Sequence, residues 1–248
     1  MPVGLNDDIG TNWDRVSFEV PGENLDVVNA LSYCGDGIVL AGTGGYHGDV
    51  FRSTDYGKTW IKSPTGVPNP GAEINSLVYC GNGIALAGSG YSNAGDGDIY
   101  RSTDYGQTWT KIYDSTTLKN ILSLVYCGDG IVLAGSGSDT GDGDVYRSTD
   151  FGLNWTKVEM GSDLERIYSF AYCGGGIVVA GAGAGSSDGD VYRSTDFGQN
   201  WTKIEMGATY DSILSLAYCD NGIVLAGSGS QTGDADIFKS TDYGQTWT

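Results

Sequence analysis

Cysteine and tryptophan recur along the chain at one shared interval. The five cysteines lie 46, 47, 46 and 46 residues apart, and the six tryptophans are spaced by about 47 residues on average. A repeat of this length indicates one supersecondary unit built several times, because a single unit cannot bury its apolar face alone. We therefore expect a repeat architecture that forms one domain over residues 1–248. The repeated residues are Cys34, Cys80, Cys127, Cys173 and Cys219, with Trp13, Trp60, Trp109, Trp155, Trp201 and Trp247.

The apolar segments within each repeat predict β-strands. They are four to seven residues long, rich in Val, Ile, Leu and Tyr, and bounded by Gly, Asn or Asp, as in residues 131–134. Such segments are too short for helices and are typical of strands joined by tight turns. Four strands in about 47 residues correspond to one blade of a β-propeller. The predicted fold is all-β: a five-bladed β-propeller with four antiparallel strands per blade.

The two ends of the chain predict how the ring closes. Residues 6–13 read NDDIGTNW, a degraded copy of a motif that ends each repeat, and the strand at residues 16–20 has no earlier strands of its own. The last repeat stops at Trp247 and Thr248, before its outer strand. We expect the N-terminal strand to join the last blade, which closes the ring and removes exposed sheet edges.

An octapeptide ends each repeat with little variation. In a tight turn, Asp104 would accept backbone N–H groups, Gly106 would permit positive φ, and Trp109 would bury its ring beside the sheet. The copies are STDYGKTW at 53–60, STDYGQTW at 102–109, STDFGLNW at 148–155, STDFGQNW at 194–201 and STDYGQTW at 240–247. The residues expected to hold these turns are Asp55, Asp104, Asp150, Asp196 and Asp242, with Trp60, Trp109, Trp155, Trp201 and Trp247.

The pattern Ser-x-Asp-x-Gly-x-x-Trp resembles the Asp-box, or BNR repeat, of propellers in the sialidase and sortilin-like superfamily. The resemblance implies that each box lies at the turn between the third and outermost strands, on the side away from the ligand, and serves folding. It also implies that a sialidase would need an arginine triad. Only Arg15 and Arg166 lie outside the repeated position that precedes the boxes, so we expect no sialidase activity and, more generally, a chain without catalysis.

The charge balance excludes whole classes of partner. Lys and Arg total 13 against 31 Asp and Glu, a formal net charge of −18. Binding to nucleic acid or to an anionic membrane surface needs a basic face, so neither is expected as a partner. No apolar run approaches a membrane span, and residues 1–10 lack the basic start and apolar stretch of a signal peptide. We expect a soluble monomer and leave its compartment open.

Paired aspartates recur in the Gly-rich loop between the second and third strands of four repeats. Two carboxylates on a flexible turn suit Ca²⁺, although they would fill only part of its shell of 6–8 oxygens. The alternative is ordinary turn chemistry, since Asp-Gly is a common turn dipeptide. No cofactor is required on either interpretation. The candidate calcium ligands are Asp96, Asp98, Asp142, Asp144, Asp188, Asp190, Asp234 and Asp236.

A second candidate site is the face opposite the boxes, formed by the Gly-rich loops and by the loops that lead into each next blade at the rim of the central funnel, where the repeats differ from one another. Aromatic rings there would stack on sugars, and a carboxylate pair would suit glycoside hydrolysis at the right separation. The alternative is a solvated rim with ion pairs such as Glu73 with Arg166. The candidate ligand-binding residues are Tyr46, Glu73, Tyr91, Arg166, Tyr168 and Asp211.

These features together favour a non-enzymatic, multivalent binding module for a glycan or a protein surface, lectin-like in its ligand. Near-equivalent sites around one ring gain avidity on a repetitive ligand, whereas a catalytic centre needs different residues from different blades. Two alternatives remain open at the level of sequence. One is a glycoside hydrolase of the Asp-box type, and the other is a protein-interaction scaffold.

Overall fold

Nineteen β-strands in five antiparallel sheets make up the described part of the chain. The computed structural model describes residues 27–45, 48–64, 72–90, 97–114, 119–137, 143–158, 160, 166–183, 189–204, 206, 212–229 and 235–248. Within these ranges no helix is long and apolar enough to cross a membrane. The all-β prediction is confirmed, and we name the sheets blades 1 to 5 in chain order.

Each blade is a meander in which consecutive strands pair with one another. Blade 1 contains β1 (Val27–Gly35), β2 (Ile38–Gly44), β3 (Val50–Ser53) and β4 (Ile61–Ser63). Blade 2 contains β5 (Glu73–Gly81), β6 (Ile84–Gly90), β7 (Asp98–Ser102) and β8 (Thr110–Asp114). Blade 3 contains β9 (Asn120–Tyr126), β10 (Val132–Gly137), β11 (Val145–Ser148) and β12 (Thr156–Val158). Blade 4 contains β13 (Arg166–Gly174), β14 (Ile177–Gly183), β15 (Asp190–Ser194) and β16 (Thr202–Ile204). Blade 5 contains β17 (Ile213–Tyr218), β18 (Val224–Ser228) and β19 (Ile237–Ser240).

Blade 5 has three strands in the described ranges. At its outer edge Lys239 and Thr248 exchange two backbone hydrogen bonds of 2.9 and 3.0 Å, which is where the fourth strand of a blade begins. The N-terminal segment predicted to supply that strand lies outside the described residues. Closure of the ring by this segment therefore stays a prediction.

Consecutive blades are joined by an isoleucine that packs onto a glycine of the blade before it. The first strand of blade 3 places Ile121, which is fully buried, against Gly88 of blade 2. The same contact joins the other neighbouring blades, and at Gly135 and Gly181 an added Cβ would lie 2.6 Å from the isoleucine Cγ2. Only glycine leaves room for the isoleucine at this distance. The pairs are Gly42 with Ile74, Gly88 with Ile121, Gly135 with Ile167 and Gly181 with Ile213.

Two faces of each blade follow from this contact. We call the face that carries the glycine the leading face, because it meets the next blade, and the opposite face the trailing face. The leading face also carries an arginine of the third strand whose Nε donates to a backbone carbonyl in the next blade's box, at 2.8 Å in every case. The pairs are Arg52 with Tyr105, Arg101 with Phe151, Arg147 with Phe197 and Arg193 with Tyr243. The evenly repeated arginines thus connect neighbouring blades.

The tyrosine before each cysteine packs against the aromatic residue of the box in its own blade. Tyr79 and Tyr105 have ring centroids 6.0 Å apart and ring planes inclined by 29°, and each other blade has an equivalent pair. The neighbouring cysteines are unpaired thiols, buried in blades 1 to 4 and exposed in blade 5. Burial raises the pKa of Cys80 and Cys127 to about 12, so these thiols remain protonated core residues at neutral pH.

We expect Ile121→Ala to lower the free energy of unfolding by about 2 to 5 kcal/mol, because it opens a cavity at the contact between blades 2 and 3. The matched control is Ile61→Ala, at a strand residue that is 75% exposed, for which a change within about 0.5 kcal/mol is expected. Urea unfolding followed by tryptophan fluorescence measures both. Equal effects at the two positions would contradict the packing described.

Candidate functional site

The Asp-box turns lie between the third and fourth strands of their blades, as the family resemblance implies, and every motif residue has a defined contact. In blade 3, Ser148 Oγ donates to Asp150 Oδ1 at 2.8 Å and accepts the backbone N–H of Gly152 at 2.9 Å. Asn154 donates its backbone N–H to Oδ1 and its side-chain Nδ2 to Oδ2 of the same aspartate. Trp155 donates its indole N–H to the Gly152 carbonyl at 2.9 Å. The box is thus a closed hydrogen-bonded turn whose aspartate is occupied internally.

These hydrogen bonds keep the box aspartates ionised. Hydrogen bonds from the side chain and backbone of Thr59, together with that of Ser53, lower the pKa of Asp55 to about 2. The pKa of Asp242 falls to about 2 through Thr246 in the same way. At Asp150 burial acts to raise the pKa, but the hydrogen bonds from Asn154 and Ser148 outweigh burial, so the net direction is downward. Carboxylates held in this way brace a turn and are not set up as general acids at neutral pH.

In blades 2 to 4 the second aspartate of each predicted calcium loop forms an ion pair with a lysine. Lys157 Nζ lies 2.8 Å from Asp144 Oδ1, and the tyrosine two residues on, Tyr146, donates to the other oxygen at 3.4 Å. Blade 1 has the same ion pair between Lys62 and Asp49 at 2.8 Å. A bound lysine supplies the positive charge that Ca²⁺ would otherwise supply. The other pairs are Lys111 with Asp98 at 2.9 Å and Lys203 with Asp190 at 2.6 Å.

The remaining calcium candidates are not brought together with other ligands. Asp236 is exposed and directly precedes β19, and its backbone N–H donates a hydrogen bond to Ser228 Oγ at 3.2 Å. Among the residues that the structure describes, no three His, Cys, Asp or Glu side chains cluster as a metal site would require. The first aspartates of the loops, Asp96, Asp142, Asp188 and Asp234, lie outside the described residues.

The predicted rim residues contact the blade before them. Glu73 at the start of β5 accepts from the Asn29 side chain at 3.4 Å and from the Gly45 backbone at 3.3 Å, both in blade 1. Arg166 at the start of β13 donates to the Tyr168 hydroxyl at 3.4 Å and packs its aliphatic stem against Gly137 of blade 3. Tyr46, Tyr91 and Asp211 lie outside the described residues, so the complete rim site stays a prediction.

Two grooves between adjacent boxes were not predicted from the sequence. The groove between blades 3 and 4 has a volume of about 500 Å³, and the groove between blades 1 and 2 about 260 Å³. Both are lined by the arginine before the box, two hydroxyl or amide residues of the box, the residue after its tryptophan, and a glutamine of the next box. These residues are Arg147, Thr149, Asn154, Thr156 and Gln199 in one groove, and Arg52, Thr54, Thr59, Ile61 and Gln107 in the other.

The repeated box was the one signal in the sequence that pointed to the grooves. Threonine and an amide or hydroxyl residue recur at fixed positions in every copy, and arginine precedes the first four copies. The sequence did not show that successive boxes leave a polar cleft between them, because that depends on the spacing between blades.

Comparison with known proteins agrees with this architecture. A profile of the BNR-Asp box repeat matches residues 50–63, 99–112 and 191–204. None of the curated proteins compared matches the chain. The chain carries BNR-Asp box repeats, and its five antiparallel sheets form the blades of a β-propeller-like fold.

Several solved propellers share the fold at low sequence identity. The protein in the structure "YCF48 bound to D1 peptide" aligns with a TM-score of 0.67 and 19% identity over 96% of this chain and 71% of its own. The GH74 xyloglucanase from Xanthomonas campestris aligns with a TM-score of 0.69 and 17% identity over 89% of this chain, which spans 38% of that enzyme. The Hadza microbial sialidase Hz136 aligns with a TM-score of 0.59 and 16% identity over 89% of this chain and 57% of its own. Identities this low establish the fold alone.

The box aspartates predict the acid stability of the protein. A carboxylate whose pKa is lower when folded contributes stability that is present above its ordinary pKa, 3.8, and is lost as the pH falls through the folded value of about 2. We expect the thermal midpoint to be nearly constant above about pH 5 and to fall between about pH 4 and 2. Circular dichroism melts across this range measure it.

An amide variant isolates one box. Asp55→Asn does not titrate, so its thermal midpoint should fall less steeply with acid than that of the wild type. Asp36→Asn, in the exposed turn between β1 and β2, is the control and should leave the slope unchanged. The same slope in all three proteins would show that the box carboxylate is not the group being titrated.

Proposed function

We propose that the chain is a non-catalytic recognition module that binds a repetitive carbohydrate through equivalent grooves between its blades. The observation that carries the proposal is the repetition of one polar lining. The grooves of blades 1–2 and 3–4 share the arginine, the two polar box residues and the glutamine of the next box, while Ile61 in one groove stands where Thr156 stands in the other. The corresponding sequence positions in blades 2–3 and 4–5 are Arg101 with Thr110 and Arg193 with Thr202, and Leu153 replaces the glutamine between blades 2 and 3.

The lining suits neutral sugar hydroxyls. In the blade 3–4 groove, guanidinium, hydroxyl and amide groups supply hydrogen-bond donors and acceptors on rigid turns. Their geometry is fixed by the boxes, because Arg147 is bonded to the Phe197 carbonyl and Asn154 to Asp150. A preorganised polar cleft loses less side-chain entropy when a ligand binds.

One groove would bind weakly, and several in a row would gain by avidity. A polymer that occupies two or more grooves converts later binding steps into intramolecular ones, which raises the apparent affinity by about 10² to 10⁴. This is the physical advantage of keeping the copies alike. It also predicts that a monosaccharide binds far more weakly than the corresponding polymer.

Calcium has no part in this proposal. The described loop aspartates of blades 1 to 4 are paired with lysines, and none of them lines the two grooves. Binding should therefore survive a chelator.

Peptide binding is the second candidate, and a specific observation favours it. The solved propeller whose alignment covers 96% of this chain holds a peptide. The same amide and guanidinium groups would bond to a peptide backbone. A glycoside hydrolase stays the third alternative, for which Glu73 would have to leave its bonds to Asn29 and Gly45 before acting on substrate.

A polysaccharide and glycan array of the purified protein tests the proposal. Ile61→Glu with Thr156→Glu places one carboxylate in each described groove at exposed positions. We expect array signal for a polymer to fall roughly tenfold or more in this double variant, because two grooves are lost from the multivalent contact. The charge-matched control is Asn82→Asp with Asn221→Asp, in exposed turns that line neither groove.

The array is run with Ca²⁺ and with EDTA, beside an array of peptides. Signal that survives EDTA and falls only in the groove variant supports the proposal. Signal lost in EDTA would return the site to the Asp-x-Asp loops. A blank glycan array with peptide binding that the groove variant weakens would replace carbohydrate by peptide as the ligand.

A further inference from the structure

The two terminal blades each leave one face exposed, and the exposed faces are opposite ones. In blade 1 the trailing face is open: Leu31 is 65% exposed, whereas the equivalent Leu77 in blade 2 is 8% exposed. In blade 5 the leading face is open: Ile237 is 79% exposed, whereas the equivalent Val145 in blade 3 is fully buried. The other faces of the same two blades are covered by blades 2 and 4. The described residues therefore form a row of five blades with one unmet face at each end.

The unmet faces carry the two halves of the contact that joins the internal blades. Blade 5 presents Gly227 at the position of Gly42, Gly88, Gly135 and Gly181, and among the described residues no isoleucine side chain lies against it. Blade 1 presents Val28, half exposed, at the position of the isoleucines that fill those glycines. Both halves are apolar and both lack their counterpart within the described chain.

The contact between each box glycine and the preceding blade also has one half on blade 1 and the other half on blade 5. In blades 2 to 5 the box glycine packs on a leucine or valine of the blade before it. A Cβ added at Gly198, for example, would lie 2.7 Å from the methyl carbons of Leu133. Among the described residues, a Cβ added at Gly57 of blade 1 would meet only Trp60 of its own box, at 3.4 Å. Leu225 of blade 5, the residue that would receive a box glycine, is half-buried, whereas Leu133 is fully buried. One position departs from the pattern, since Lys239 stands where the other blades have arginine.

We propose that the chain associates with a second copy of itself head to tail, the leading face of blade 5 in one copy against the trailing face of blade 1 in the other. The occupant is a second copy because each face continues an interface that already occurs four times within the chain. The contact is between different faces, so two copies satisfy both faces of each if their arcs close into a ring. This proposal replaces the monomer expected from the sequence and is independent of the proposed ligand.

Burying these faces removes a large apolar surface from water. Val28, Leu31, Tyr33, Leu214 and Ile237 are all exposed on the two faces. Exposed apolar patches of this kind are typical of association sites. The second copy would pack against these faces as neighbouring blades pack within the chain, through the glycine and isoleucine contact.

Light scattering after size exclusion, over about 1 to 100 µM protein, tests the association by mass action. We expect the mass to rise with concentration toward twice the 26.0 kDa of one chain. Ile237→Glu and Leu31→Glu each disable one face at an exposed position and should each remain monomeric. Asn82→Asp adds a negative charge in the exposed turn between β5 and β6, away from both open faces, and should associate like the wild type.

Mixing the two face variants distinguishes head-to-tail pairing from other arrangements. Leu31→Glu retains an intact blade 5 face and Ile237→Glu an intact blade 1 face, so the mixture should form a dimer that neither forms alone. Dimers of either variant alone would contradict pairing between different faces. Circular dichroism confirms that each variant is folded.

The reactivity of the Cys219 thiol gives a second measurement of the association, because Cys219 is exposed while the other four cysteines are buried. We expect one thiol to react rapidly with a maleimide at low concentration and to become protected at high concentration. A monomer at all concentrations with Cys219 protected would show that the faces close within one chain, and a monomer with Cys219 reactive would show that they stay open. Either result would overturn the proposal.

Discussion

The packing of one isoleucine onto one glycine in the preceding blade is the constraint on which the rest of the structure depends. It sets how close two sheets approach, and that distance places each leading-face arginine within 2.8 Å of the next box carbonyl. The grooves lie between boxes that these arginines connect. Their similar linings follow from one spacing repeated along the chain.

The box itself depends on hydrogen bonds within a few residues, which explains why it could be recognised from sequence. Asp150 bonds to Ser148 and Asn154, two and four residues away, so its partners are encoded in the octapeptide. The strands and the number of blades were predictable for a similar reason, because short apolar segments and a period near 47 residues leave few other folds.

Contacts between distant residues were harder to predict. The sequence offered Asp144 as a calcium ligand, and its true partner is Lys157, which follows the box on the neighbouring strand. Nothing in the Asp-x-Asp pattern indicates a lysine 13 residues later. The grooves were missed since they lie between consecutive boxes, and the exposure of one face on each of blades 1 and 5 was not predicted from the sequence. In each case the deciding factor is the geometry between blades, which the periodicity of a sequence does not report.

A double-mutant cycle on Gly42 and Ile74 tests the central contact most directly. A Cβ at Gly42 would lie 2.5 Å from Ile74 Cγ2, so Gly42→Ala should destabilise the protein by about 1 to 3 kcal/mol. In an Ile74→Ala background that Cγ2 is absent, and the cost of Gly42→Ala should fall by at least about 1 kcal/mol, measured as a coupling in urea unfolding. Additive costs would show that the two residues do not determine the spacing between blades, and the account of the fold would then be wrong.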